Sequence, residues 1–407
     1  MSDKTVYSRR NLAIDMLRAL TMFIMIFVND FWKVHDVPHW LEHAVYGEDF
    51  MGLADIVFPC FLFAVGMSIP YAIERRYAKG FSAESTLGHI LSRTFALLVM
   101  GAFITNSEFR LSPEAPYPIG VYWFLMAIGF IGVWNQYPKP ASGTQKNLFR
   151  AFKIIGVLVL LYLAFTFRNP QGGVFGAYWG ILGSIGWTYL VCAVIYIFSR
   201  DRLQYLLPAW GAFILICLLG TPLREGFGGE AILAFPERNF YQGMLSILHI
   251  GNGALPAFTM GGVILSILSA RYAGKGDGWK LRNGLTVAVL LLLVGIGTHH
   301  SGLWPRWVVL LLGVLCDCHF RGALHTARLS GQPSVTGWFN LIRPAGTATL
   351  TTYLVPYVFY GFADVTGVVL PDWFTHGFMG LVNCLCFAFV VIGVTWVMEK
   401  LHVKLKI

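Results

Sequence analysis

Three residues near the start of the chain could do acid–base chemistry together. Asn29 ends one apolar stretch, Asp55 opens the next, and the polar segment between them carries His35, His39 and His43. If the two stretches are helices running antiparallel, Asn29 and Asp55 return to about the same depth, where a loop imidazole can join them. A carboxylate beside an imidazole holds its tautomer, and an amide can orient a carbonyl or stabilise an oxyanion. The trio therefore suits general acid–base chemistry. A loop histidine can equally be an interfacial side chain, and spacing alone does not choose between the two.

Further ionisable residues lie where a membrane would tax them. Asp15 and Arg18 stand three apart in the first apolar stretch, one helical turn, and so can pair. An ionisable group at the centre of a membrane helix costs about 2.5–3.5 kcal/mol on insertion scales, so it needs a partner or a purpose. The two readings are a local ion pair and an inward-facing cation that meets an anionic ligand. Arg343, before Pro344, is a second candidate for a phosphate contact. The run Cys316-Asp317-Cys318-His319 looks metal-like. On a helix, however, residues two apart point about 200° apart, and no second Cys/His pair stands at zinc spacing. The same holds for Cys384 and Cys386, so no metal is expected. Gly274-Lys275-Gly276-Asp277-Gly278 lacks the spacing of a phosphate-cradling loop and reads as a flexible turn. His299-His300 could line the outer cavity or form an interfacial pair.

The elements that must position these residues follow from composition. Of 407 residues, 56% are hydrophobic and 13% charged, and the mean hydropathy is +0.62. Soluble domains carry about 25% charged residues, so this chain has about half the usual supply for covering a surface. Disorder, an ordinary nucleic-acid binder and a soluble enzyme are thereby excluded. What remains is an all-α polytopic integral membrane helix bundle, organised as one domain over 1–407 in spans of about 20 residues. Apolar runs near 11–29, 52–73, 87–105, 119–135, 151–167, 177–198, 204–220, 254–270, 284–303, 306–320, 344–362 and 376–398 predict ten to twelve spans. With the N-terminus inside, the inner segments hold 21 Lys/Arg and the outer segments six. By the positive-inside rule both termini are cytoplasmic. Asp15 and Arg18 interrupt the first apolar run and no small-residue cleavage site follows, so it reads as a retained span rather than a signal peptide. The seven cysteines all fall in apolar stretches and read as small buried hydrophobes. Two outer segments, 30–51 and 221–253, are too long for simple turns and rich in aromatics. Phe31, Trp32, Trp40 and Tyr46 could stack on a ring-shaped ligand or sit in an interfacial belt.

Several of these residues also stand in a familiar order. They are Ala13-Ile14-Asp15-Met16-Leu17-Arg18-Ala19-Leu20-Thr21, Val28-Asn29, His43-Ala44, and Ala54-Asp55-Ile56-Val57-Phe58-Pro59-Cys60-Phe61-Leu62-Phe63. In order and spacing they resemble the catalytic region of the heparan-α-glucosaminide N-acetyltransferase family and its bacterial relatives, the Ala54–Phe63 run most specifically. Thr349-Leu350-Thr351-Thr352-Tyr353-Leu354 is similar to a late element of that family. The loop departs from the family pattern, with His43-Ala44-Val45-Tyr46-Gly47 followed by four residues before Gly52.

The resemblance implies a transmembrane acetyltransferase that draws acetyl-CoA from the cytoplasm and acetylates an amine or hydroxyl of a saccharide on the outer face. His43 matches the family's catalytic histidine, as base or acyl carrier, and Asn29 its catalytic asparagine, with Asp55 placed to orient His43. Asp15, Arg18 and Arg343 are the expected cofactor contacts. Arg18 precedes Asn29 by 11 residues, about 16 Å along a helix at 1.5 Å per residue, which suits a long pantetheine arm. A bacterial inner membrane is the expected setting, with lipid and saccharide as partners, no nucleic acid, and a homodimer left open. The alternative class is a transporter or flippase for a glycan or small anion, with Asp15, Arg18 and Asp55 as pathway charges.

Overall fold

The computed structural model describes residues 11–45, 50–108, 111–220, 253–272, 274–297 and 337–407. The loop positions Tyr46 to Asp49, the outer segment from 221, His299-His300, the 306–320 span and the Cys316–His319 motif fall outside them. Within the described residues every long element is a helix, and pairing between extended residues is limited to isolated bridges such as His35 with His376. The chain is an all-α polytopic membrane protein. Its helices are α1 (Leu12–Asn29), α2 (Leu53–Ala78), α3 (Ala83–Glu108), α4 (Ile119–Trp134), α5 (Gly143–Thr166), α6 (Gly180–Ser199), α7 (Leu203–Gly220), α8 (Ala254–Arg271), α9 (Asp277–Gly297), α10 (Gly337–Thr347), α11 (Thr349–Thr366) and α12 (Gly377–Lys400). Among the described residues seven stretches are long and apolar enough to cross a membrane: α1 with its following turn, α2, α3, α5, α6, α8 and α12. The shorter apolar helices α4 and α7 coincide with expected spans.

One expected span is divided. The run 344–362 emerges as α10 and α11, separated at Ala348, whose φ of −125° and ψ of 42° leave the helical region. Pro344 and Gly346 lie just before the break, and both weaken helix propagation. The Ala348 N–H still reaches the Pro344 carbonyl at 2.8 Å, so the interruption strands no donor there.

The chain forms two compact units. The first comprises Met1–Thr21, His39–Thr94 and Ile185–Leu341, and the second Met22–Pro38, Phe95–Ser184 and Ile342–Ile407.

In the first unit α2 packs on α8 through glycines. A side chain on Gly66 would run into the Thr259 backbone, and one on Gly262 into the Phe63 carbonyl. Between apolar helices in lipid there is no hydrophobic drive, and close backbone approach through small residues is what binds them. Trp210 Nε1 on α7 donates to the Ala257 carbonyl of α8 at 3.0 Å. Replacing Gly66 with Leu should therefore force the helices apart and cost about 3 kcal/mol. The check is thermal unfolding in detergent beside Gly211→Leu, whose position meets nothing within 4 Å and should unfold like wild type.

In the second unit α4 is the central helix. Gly129 and Gly132 let it approach Gly156 of α5, and Gly120 lets it approach Gly361 of α11. The Gly120 N–H, one of the unpaired donors of the α4 first turn, is taken by Asp364 Oδ2 at 2.8 Å. The C-terminal tail returns to the other end of α4, where the Lys406 N–H meets the Trp134 carbonyl at 2.9 Å.

Candidate active site

In the first unit the loop after residue 38 closes on the start of α2. Asp55 sits in the first turn of that helix, where a carboxylate is favoured by the dipole and the unpaired N–H groups. Its Oδ2 accepts the backbone N–H of Gly52 at 3.0 Å and of Ala44 at 3.0 Å. Its Oδ1 lies 2.7 Å from His43 Nδ1. Both carboxylate oxygens are therefore committed, and the loop is tied to the helix at two points. Gly52 is required for this, because a Cβ there would collide with the Glu42 carbonyl.

The pairing dictates the tautomer. An ionised carboxylate can only accept, so the His43 proton sits on Nδ1 and the lone pair on Nε2 is left to act. The His43 side chain is 71% exposed and that of Asp55 28%. A base that must meet an arriving molecule needs that exposure. The other two loop histidines are spent differently. The His39 ring stacks on Phe50 at 4.2 Å between centroids. His35, in the second unit, lies against His376 at 4.7 Å.

Asn29, the last residue of α1, belongs to the second unit and lines a cavity of about 1100 Å³ there. Trp32 follows it on the same wall, Glu108 comes from the end of α3, Trp123 from α4, and Tyr353, Tyr357 and Tyr360 from α11. The tyrosines recur at i, i+4 and i+7, which places them along one helix face. Trp123 meets Tyr357 and Tyr360 at 6.5 Å and 6.2 Å between ring centroids. Tyr117 lies on the approach to α4 and pairs with Thr166 Oγ1 at 2.8 Å. Burial pushes its phenol up, so it stays protonated. Among the described lining residues Glu108 alone carries a carboxylate, and none is Lys, Arg or His.

Glu108, Tyr357 and Tyr360 had no place in the sequence expectation. The available signals were a carboxylate closing the third apolar run and the tyrosine periodicity after Leu350. Of the aromatics expected in the loop, Trp32 lines the cavity, Phe31 is buried and Trp40 is exposed.

The remaining candidates are placed as follows. Arg18 Nη2 reaches Asp15 Oδ1 at 2.9 Å, the local ion pair that their spacing allows. Asp15 is buried. Arg343 is exposed on α10. Cys384 is buried and Cys386 exposed, the divergence expected for residues two apart on a helix. Among the described residues no group of three or more His, Cys, Asp or Glu is arranged to hold a metal.

Comparison with known proteins adds a further observation. The family model described as heparan-alpha-glucosaminide N-acetyltransferase, catalytic, matches residues 10–121, the segment that holds Asn29, His43, Asp55 and Glu108. Over that segment the chain resembles the heparan-α-glucosaminide N-acetyltransferases. It is similar to the mouse heparan-alpha-glucosaminide N-acetyltransferase, 28% identical over 195 residues that make up 42% of this chain. The human protein of that name is 27% identical over 195 residues, 43% of this chain. The match spans 28% of the length of each relative. The long apolar helices mark the chain as an integral membrane protein.

Proposed function

We propose that the chain, acting as one transmembrane domain, transfers an acetyl group from acetyl-CoA to an amine or hydroxyl of a saccharide. The observation that carries this reading is the His43–Asp55 pair, 2.7 Å between Nδ1 and Oδ1, inside the segment that matches the acetyltransferase catalytic region. With Nδ1–H held by the carboxylate, Nε2 of His43 takes the proton of the attacking amine or hydroxyl, or itself takes the acetyl group and passes it on. The bond from acetyl carbon to sulfur breaks, the bond from acetyl carbon to acceptor nitrogen or oxygen forms, and the CoA thiol leaves with the proton. Asp55 orients His43 and offsets the charge of the imidazolium. Asn29 holds the acyl carbonyl, where an amide donor stabilises the oxyanion that develops.

The cavity beside Asn29 is the chamber for the acceptor. Aromatic walls suit the C–H faces of a sugar ring, and Asn29 with Glu108 supplies polar anchors. A chamber whose one charged described wall residue is a carboxylate suits a saccharide better than the anionic head of CoA. That head belongs with the basic inner segments, where Arg18 and its partner Asp15, with Arg343, are the proposed contacts. The termini lie on that cytoplasmic side, in a bacterial inner membrane, with His43 facing outward.

The test is acetyl-CoA turnover by the purified protein in liposomes, with and without a panel of amino and neutral sugars. Saccharide-dependent release of free CoA is expected. Absence of both binding and turnover of acetyl-CoA in folded protein would sink the proposal and favour transport of a glycan or anion.

A further inference from the structure

Beside Asn29 a second charged group is drawn into the same wall. Asp30 is 2% exposed. Its Oδ1 accepts from Lys33 Nζ at 2.9 Å and from the Tyr360 hydroxyl at 2.9 Å. The ammonium of Lys33 lies 3.9 Å from the centroid of the Tyr360 ring, 5.1 Å from Phe387 and 5.2 Å from Trp32. A cation held both by a carboxylate and over aromatic faces is fixed in direction as well as in charge. Two of the groups it gathers, Trp32 and Tyr360, line the cavity, and Asn29 is the chain neighbour of Asp30. The cluster joins the end of α1 to α11 and α12 at the point where α1 gives way to a short turn, Phe31–Lys33. A helix end without such a tie frays, because its last carbonyls lack partners within the helix.

We infer that Lys33 and Asp30 are positioning residues for the acceptor chamber. They hold the Asn29 amide and the Trp32 and Tyr360 rings in register without touching the substrate. Lys33 is neutralised by Asp30 and engaged by the rings, so it is not an anion site. The inference rests on the proposed acetyltransferase reading, and its test separates the two.

Wild type, Lys33→Met, Tyr360→Phe and Lys33→Arg are purified, and acetyl-CoA consumption is followed against acceptor and against acetyl-CoA. For Lys33→Met, kcat/KM for the acceptor should fall about tenfold while KM for acetyl-CoA stays put. Tyr360→Phe, which removes one oxygen and keeps the ring, should lose about threefold. Lys33→Arg restores the cation over the rings and should return to within about twofold of wild type. A parallel change in both KM values, or a lowered unfolding temperature with unchanged kinetics, overturns the inference.

If the wild type turns over with no acceptor, the activity reading has failed and a second arm decides. In an Asn29→Cys background, maleimide labelling is measured by mass on the peptide containing residue 29. Adding Lys33→Met should change the labelling rate at least about fivefold, the shift expected when a tied helix end is released. An unchanged rate overturns the positioning role.

Discussion

Replacement of His43 with Ala is expected to lower acetyl transfer by at least about 10³-fold, since a lost general base alone costs 10²–10⁴ and a lost acyl carrier costs more. The fold should survive, because the side chain is largely exposed and its partner Asp55 keeps two backbone donors, Ala44 and Gly52. The companion change Asp55→Asn isolates the orienting role. Its amide oxygen can still accept those backbone N–H groups, but its NH2 then faces His43 Nδ1. The ring must accept there, which moves its proton to Nε2 and removes the lone pair from the reacting side. A loss of about 10²–10³-fold in kcat with little change in KM for acetyl-CoA is expected. Steady-state kinetics on both variants, with unfolding temperatures alongside, provide the check. An Asp55→Asn enzyme with normal kcat would show that the pair serves only to pin the loop to α2.

Loss of the Asn29 amide should also have a large effect. Asn29→Ala is expected to lower kcat about 10²-fold, the scale for removing one oxyanion donor. Asn29 ends α1 and lines the cavity, and no side-chain bond of its own is needed to form the helix, so unfolding should change little. Rate assays at saturating acceptor separate this from weaker binding, because an interaction made only in the transition state lowers kcat and kcat/KM alike. If Asn29→Ala raises only KM for the acceptor, Asn29 belongs to the chamber wall and not to the acyl carbonyl. Asn29→Gln, with the amide carried one carbon further, should recover less than a tenth of the rate, since a displacement of about 1 Å can cost about 10²-fold.

Much of this protein is legible along the chain. Hydropathy is a local and additive property, so the apolar runs announce the helices. The ends of α1, α2, α3, α8 and α12 fall within a few residues of the positions that hydropathy marks. Asn29 and Asp55 stand at helix ends for the same reason, as polar residues where apolar runs stop. The Asp15–Arg18 pair follows from helical spacing alone, and it forms at 2.9 Å.

Tertiary structure decided the choice among partners. Three histidines share the loop, and composition treats them alike. His43 alone among them meets Asp55, because the loop is fastened by the Ala44 and Gly52 N–H groups while His39 stacks on Phe50 and His35 on His376. The division of 344–362 into α10 and α11 falls after Pro344 and Gly346, a local signal that hydropathy alone does not register. Most distant from the sequence is the chamber wall, where Asp30 and Tyr360 bond across 330 positions of chain. A periodic pattern can say that Tyr353, Tyr357 and Tyr360 share a face. Which element that face meets is set by how the helices pack, because a contact between residues far apart in sequence carries no local signature. Apolar runs and helical spacing thus determined the elements and their end residues, and close glycine-mediated packing decided which of those residues became neighbours.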